Sequence, residues 1–219
     1  MIGKYCSKLI FVLLFLLVIG NNYSNCPCEE DRQNNTGTTI CSPDGKYKVN
    51  IYPDKVALLK EVSTEKMIRR IRCNFIFQTI RFSPDSKYLA TGSWGKFAKL
   101  WDIKQNICIR SFSKHDDWIS TLNFSHNGKY LATGSQDFTA KLFDIQKEEE
   151  LCSFIGHSSF ITAVSFSPQD KYVITHAWDK TVKMWEIETC REIESFDAAD
   201  SISFGYRDSY FIYRYSEMD

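Results

Sequence analysis

Much that would announce chemistry is missing from this 219-residue chain. Lysine plus arginine and aspartate plus glutamate balance at 27 each, so no overall field favours nucleic acid or a strongly acidic partner. There is no glycine-rich loop able to cradle phosphate, no histidine–glutamate metal motif and no carboxylate pair placed for acid–base work. The longest apolar run, Leu9 to Ile19, has 11 residues, well short of the roughly 20 that cross a bilayer as a helix. These gaps count against nucleotide-dependent, metal-dependent and membrane-spanning classes, and no cofactor is expected. What is present is apolar and aromatic: 43% hydrophobic residues, with five tryptophans, 11 tyrosines and 16 phenylalanines. That load suits strands packed on both faces.

Residues 1–20 read as a secretory signal, because Lys4 and Lys8 precede the apolar run and Val18 and Gly20 are small enough for cleavage after Gly20. A membrane anchor is the alternative, and it is the one way the chain would meet a membrane. Export places the mature chain outside the cell or in a periplasm; otherwise it is anchored or cytoplasmic. Residues 21–37 form a polar linker. Setting aside Cys6 leaves Cys26, Cys28, Cys41, Cys73, Cys108, Cys152 and Cys190, an odd number that cannot all pair internally. Cys26-Pro27-Cys28 lacks the second ligand pair of a specific zinc site, and the later five are expected to be unpaired and mostly buried.

The chain repeats itself. Phe82 to Ser93 reads FSPDSKYLATGS, Phe124 to Ser135 reads FSHNGKYLATGS, and Phe166 to Ala177 reads FSPQDKYVITHA, each 42 residues after the last. The same step relates Trp101-Asp102 to Phe143-Asp144 and Trp185-Glu186, and His115 to His157. A fainter copy begins at Cys41, offset by 41, and another near Phe204, offset by 38. The units run about 38–73, 79–112, 115–154 and 157–196, with a partial fifth at 201–215. Each holds four short β-branched and aromatic runs separated by turn formers, so each predicts four antiparallel strands. In the third unit these are Ser120–Ser125, Tyr130–Ser135, Thr139–Ile145 and Glu149–Phe154. A period near 40 with four strands matches a blade that buries both faces only when stacked between neighbours.

A Gly-His pair, a strand ending Phe-Ser-Pro, a Leu-Ala-Thr-Gly-Ser strand, an Asp turn and a terminal Trp-Asp resemble the WD-repeat family over most of residues 38–215. The resemblance implies an all-β propeller, here about four four-stranded blades plus part of a fifth, open or truncated. It also implies a structural tetrad in each blade, a histidine linking a hydroxyl, the turn aspartate and an indole. The fourth unit has the full set, His157, Thr175, Asp179 and Trp185. The third has His115, Thr133 and Asp137, with Phe143 in place of the indole. The second retains Thr91 and Trp101 but has Cys73 and Gly95 for the histidine and aspartate; the first keeps Asp54 alone. His157, Thr175 and Asp179 share the composition of a catalytic triad, yet recurrence every 42 residues favours a structural role. Gly156-His157-Ser158-Ser159-Phe160 fails as a nucleophile elbow because Phe160 stands where the second glycine belongs.

Family members commonly bind partners at a propeller rim, beside the turn aspartate and at the start of each first strand. By position those residues are Trp94, Gln136 and Trp178, and Trp118 and Phe160. Large rings exposed on one face suit a binding hot spot; rings packed between blades are the plainer alternative. Arg69, Arg70 and Arg72 are expected at a solvated edge, and His126 in a surface turn. The reading is a non-enzymatic scaffold for a protein or peptide, with self-association as one way to close the array. The alternatives are a propeller hydrolase, which the constant spacing leaves no insertions to build, and an incomplete piece of a longer repeat protein.

Overall fold

A computed structural model describes residues 38–112 and 114–197 and the backbone of 201–204 and 210–213. The proposed signal and linker lie outside the described residues. Strands β1 Thr39–Cys41, β2 Tyr47–Tyr52, β3 Val56–Glu61 and β4 Met67–Arg72 form blade 1. β5 Phe77–Phe82, β6 Tyr88–Ser93, β7 Ala98–Asp102 and β8 Ile107–Phe112 form blade 2. β9 Ile119–Phe124, β10 Tyr130–Ser135, β11 Thr139–Asp144 and β12 Glu149–Ile155 form blade 3. β13 Ile161–Phe166, β14 Tyr172–Ala177, β15 Thr181–Glu186 and β16 Glu192–Asp197 form blade 4. β17 Ser201–Phe204 and β18 Tyr210–Tyr213 pair as a two-stranded sheet. Each blade is an antiparallel meander in sequence order, as blade-type propellers are, open or partial.

The turns are set by short polar residues. Where β5 meets β6, Ser83 Oγ bonds Asp85 at 2.7 Å and accepts the Tyr88 amide at 2.9 Å; Ser42, Ser125 and Ser167 hold the matching amides at Tyr47, Tyr130 and Tyr172. The backbone repeats as well. Lys55, Lys96, Phe138 and Lys180 all take left-handed φ values of 64–70° at one position, the second turn of each blade. Three of them are lysines; a bulky aromatic at Phe138 is the costly exception.

Alternation along the strands sends one set of apolar residues to each neighbouring blade. Blade 1 meets blade 2 through Leu59 and Ile71 against Ile80, Leu89 and Trp101. Blade 2 meets blade 3 through Leu100 and Phe112 against Leu122, Leu131 and Phe143. Blade 3 meets blade 4 through Leu142 and Phe154 against Val164, Val173 and Trp185. The far face of blade 4 repeats the pattern with Ile174, Val182, Met184 and Phe196, all buried. Gly134 is where backbone and neighbour come closest, since a Cβ there would lie 2.4 Å from Cγ2 of Ile161.

Blade 1 breaks the pattern on its other face. At the positions where blades 2 to 4 present Leu89/Trp101, Leu131/Phe143 and Val173/Trp185, it has Lys48 and Lys60, paired across the ladder. Both bond Glu65.

One expectation is corrected and two are extended. Cys152 and Cys190 are joined by a disulfide between β12 and the β15–β16 turn, and Cys41 is also disulfide-bonded; Cys73 and Cys108 are free, and Cys108 is exposed. Blade stacking brings the two α-carbons to 5.4 Å, within bonding range. Arg70 and Arg72 are exposed on the edge strand β4 as expected, and the partly exposed Arg69 has a further role: its guanidinium lies 5.0 Å from the Trp101 ring centroid and bonds the Asn106 side chain at 2.9 Å, tying blade 1 to blade 2. His126 is half exposed but also latches blade 3 to blade 4, because Asp170 accepts its amide at 2.8 Å and its Nδ1 at 2.9 Å.

Candidate docking face

In blade 4 the Trp185 indole N–H donates to Thr175 Oγ1 at 2.8 Å, and His157 Nε2 lies 2.7 Å from the same hydroxyl. His157 Nδ1 is 2.9 Å from Asp179 Oδ2. Satisfying every member requires Nδ1–H to donate to the carboxylate and Thr175 to donate to Nε2. Asp179 then fastens the turn, accepting the Ser158 and Thr181 amides and the Thr181 hydroxyl at 2.8–2.9 Å. Blade 3 has the same arrangement at His115, Thr133 and Asp137, with 2.8 Å contacts on both ring nitrogens; it ends at Thr133 because Phe143 has no donor. Thr139 and Thr181 were missed in the sequence, although Asp-x-Thr recurs there at the 42-residue step.

Burial alone would push the Asp179 carboxyl up, but the Ser158 and Thr181 bonds, with His157, outweigh it and hold the group down at about 2. Asp137 is held well below the ordinary carboxylate range, His115 and Thr139 outweighing burial. For His157 burial lowers the affinity for a proton and Asp179 only partly offsets it. Each of these groups has a depressed folded-state value, so the unfolded chain binds more protons as the pH falls and each contribution to stability is lost toward acid. Melting temperature followed against pH is expected to decline once the pH drops below the ordinary histidine value of 6.5, and again between 3.8 and about 2 as Asp179 titrates. A His157→Gln variant is expected to flatten the first decline while leaving the second.

These networks stiffen the turns that carry the aromatic residues. The Trp94, Gln136 and Trp178 amides donate to the Ile76, Trp118 and Phe160 carbonyls at 3.3, 2.9 and 3.0 Å. The two predicted sets therefore alternate along one edge of blades 2 to 4. Trp94 and Trp118 stack face to face across the blade boundary, centroids 4.4 Å apart and planes within 1°, so both are half-buried by each other. Phe160 is 39% exposed, 5.5 Å from the ring of Phe138, and Trp178 is 73% exposed. Gln136 sits between the two clusters. Phe75, Ile76, Phe97 and Phe138 are exposed beside them and were not anticipated; Ile76 lies one 42-residue step before Trp118.

The described residues contain three segments, 71–102, 106–144 and 148–186, that match the family profile described as "WD domain, G-beta repeat". The chain belongs to the WD-repeat family. The WD40 repeat-containing protein smu1 of Dictyostelium discoideum is 32% identical over a stretch covering 34% of this chain and 17% of that protein, so the chain spans less than a fifth of the curated relative it matches. WD-repeat domains are generally non-enzymatic scaffolds for protein interaction. In this member His115, Asp137, His157 and Asp179 are engaged in holding turns, while Phe160 and Trp178 beside them are exposed.

Proposed function

We propose that this chain is a non-catalytic scaffold that docks a protein or peptide through Trp94, Trp118, Gln136, Phe160 and Trp178. The observation that carries the reading is Trp178: its backbone is tied into the blade edge at 3.0 Å while its side chain stays 73% exposed. A large ring held outward on a rigid turn loses little freedom on binding and buries much apolar area. Phe138 supports the same reading, since an aromatic held at φ 70° stores strain that a lysine in the other blades shares without offering a ring to a partner. Self-association through the outer face of blade 1 has less support, because Lys48, Lys60 and Glu65 are paired there.

The test begins with partners captured on the purified chain and then measures each by calorimetry against variants. Trp178→Ala/Phe160→Ala is expected to weaken a true partner by more than about tenfold with an unchanged melting temperature. Lys129→Ala, on the turn at the other end of blade 3, leaves affinity as it was. Equal affinity of every captured partner for all three proteins would end the proposal. The same reading has the chain exported, on the strength of the N-terminal apolar run and the oxidised Cys152–Cys190 pair. Intact mass of protein expressed with residues 1–37 is expected to show a mature N-terminus at Asn21; an unprocessed chain retained inside the cell would contradict it.

A further inference from the structure

Blade 2 retains the Thr91–Trp101 end of the polar network and lacks the rest. Where blades 3 and 4 have His115 and His157, Asp137 and Asp179, and Thr139 and Thr181, it has Cys73, Gly95 and Phe97. The Phe75 ring takes part of the space of the missing carboxylate, since a Cβ on Gly95 would lie 2.8 Å from it, and a cavity of about 330 Å³ remains, lined by Ile71 and Arg72 of blade 1 and by residues of blade 2. Its walls are aromatic: Phe75, Phe77, Phe97 and Trp101.

The polar groups of this cleft are one-sided. Arg72 and Lys99 line it and no aspartate or glutamate does. Neither cation has an ion-pair partner among the described residues. For Lys99 the reason lies in the repeat: its counterparts Lys141 and Lys183 pair with Glu150 at 3.1 Å and Glu192 at 2.9 Å, whereas the 42-residue step back from Glu150 lands on Cys108. Thr91 is the cross-strand neighbour of Lys99 and only 4% exposed. Its oxygen accepts the Trp101 indole N–H at 3.1 Å, but its hydroxyl proton has no acceptor among the described residues; in the next two blades that proton faces a histidine nitrogen. A buried donor without an acceptor is costly unless something supplies one.

We propose that this cleft binds a small aromatic carboxylate. The carboxylate takes the Thr91 hydroxyl and the Lys99 ammonium, with Arg72 at the mouth, and the ring lies among Phe75, Phe97 and Trp101. An inorganic anion would leave the aromatic walls unused, and a neutral aromatic would leave Arg72 and the Thr91 hydroxyl proton without a counterpart and Lys99 with only the Trp101 ring 5.9 Å away. The cleft adjoins the docking face at Phe75 and Phe97, but none of the five docking residues lines it.

Calorimetry with the full chain tests it, using 2-naphthoate as probe and 2-naphthamide as its uncharged equivalent. Saturable naphthoate binding is expected, weaker by about tenfold or more for the amide and for Lys99→Met with naphthoate. Cys73→His/Gly95→Asp, which puts the histidine and aspartate of blade 3 into the cavity and displaces the Phe75 ring from Gly95, is expected to abolish binding while its melting temperature reports a folded protein. Trp178→Ala/Phe160→Ala binds naphthoate as the unaltered chain does. No saturable binding, equal affinity for acid and amide, or undiminished binding by the folded double variant would each overturn the proposal; should the double variant not fold, the acid–amide contrast in Lys99→Met decides alone.

Discussion

Trp185→Ala is expected to lower the unfolding free energy by about 3–5 kcal/mol, whereas Trp185→Phe costs only about 1 kcal/mol. The ring is 2% exposed and lies 5.2 Å from the Phe154 ring in the seam between blades 3 and 4. Alanine empties most of that volume, and a close-packed interior recovers it only in part. Phenylalanine leaves the packing and removes one donor from Thr175, whose hydroxyl still faces His157 at 2.7 Å. Blade 3 is a natural control, since Phe143 occupies the equivalent position at 2% exposure, packed 4.7 Å from Phe112. Urea unfolding of the three proteins separates the two contributions. A phenylalanine variant as unstable as the alanine variant would mean that the indole hydrogen bond, rather than the packed ring, dominates the site.

Cys152→Ser/Cys190→Ser is expected to cost about 2–4 kcal/mol, the range for a bond that closes a loop of this size and restricts the unfolded chain. The two cysteines are 38 residues apart and belong to successive blades, so the bond tethers one sheet to the next across a seam otherwise held by apolar contact and the His126–Asp170 latch. Reductant should destabilise the unaltered chain by at least this amount and the double variant by less, because the Cys41 disulfide is broken in both, while Cys108→Ser changes neither. Equal unfolding midpoints for oxidised and reduced protein would remove the tether from the account of stability.

Much of this fold was legible because a period was legible. Residues 42 apart carry the same side-chain type at the same place in a blade, so the strands of the third unit, read as Ser120–Ser125 and Thr139–Ile145, fall within one residue of β9 and β11. The polar network was readable for the same reason: His157, Thr175, Asp179 and Trp185 recur in part wherever the period repeats. What escaped was whatever does not recur. The Cys152–Cys190 separation of 38 is no multiple of the repeat, and Arg69, the His126–Asp170 latch and the Trp94–Trp118 stack all join different blades.

The amino-acid sequence alone therefore determined the blade: its four strands, its polar turn residues and the choice of which face is apolar. Those features depend on neighbours along the chain and on side-chain alternation, which are local. Only the tertiary structure decided what happens between blades. Whether two sulfurs meet, whether Trp94 shields Trp118 while Trp178 stays bare, and whether the loss of a histidine and an aspartate leaves a cleft are all set by how closely one twisted sheet sits against the next. That distance is a property of packed volumes on two surfaces at once, and no single repeat contains it.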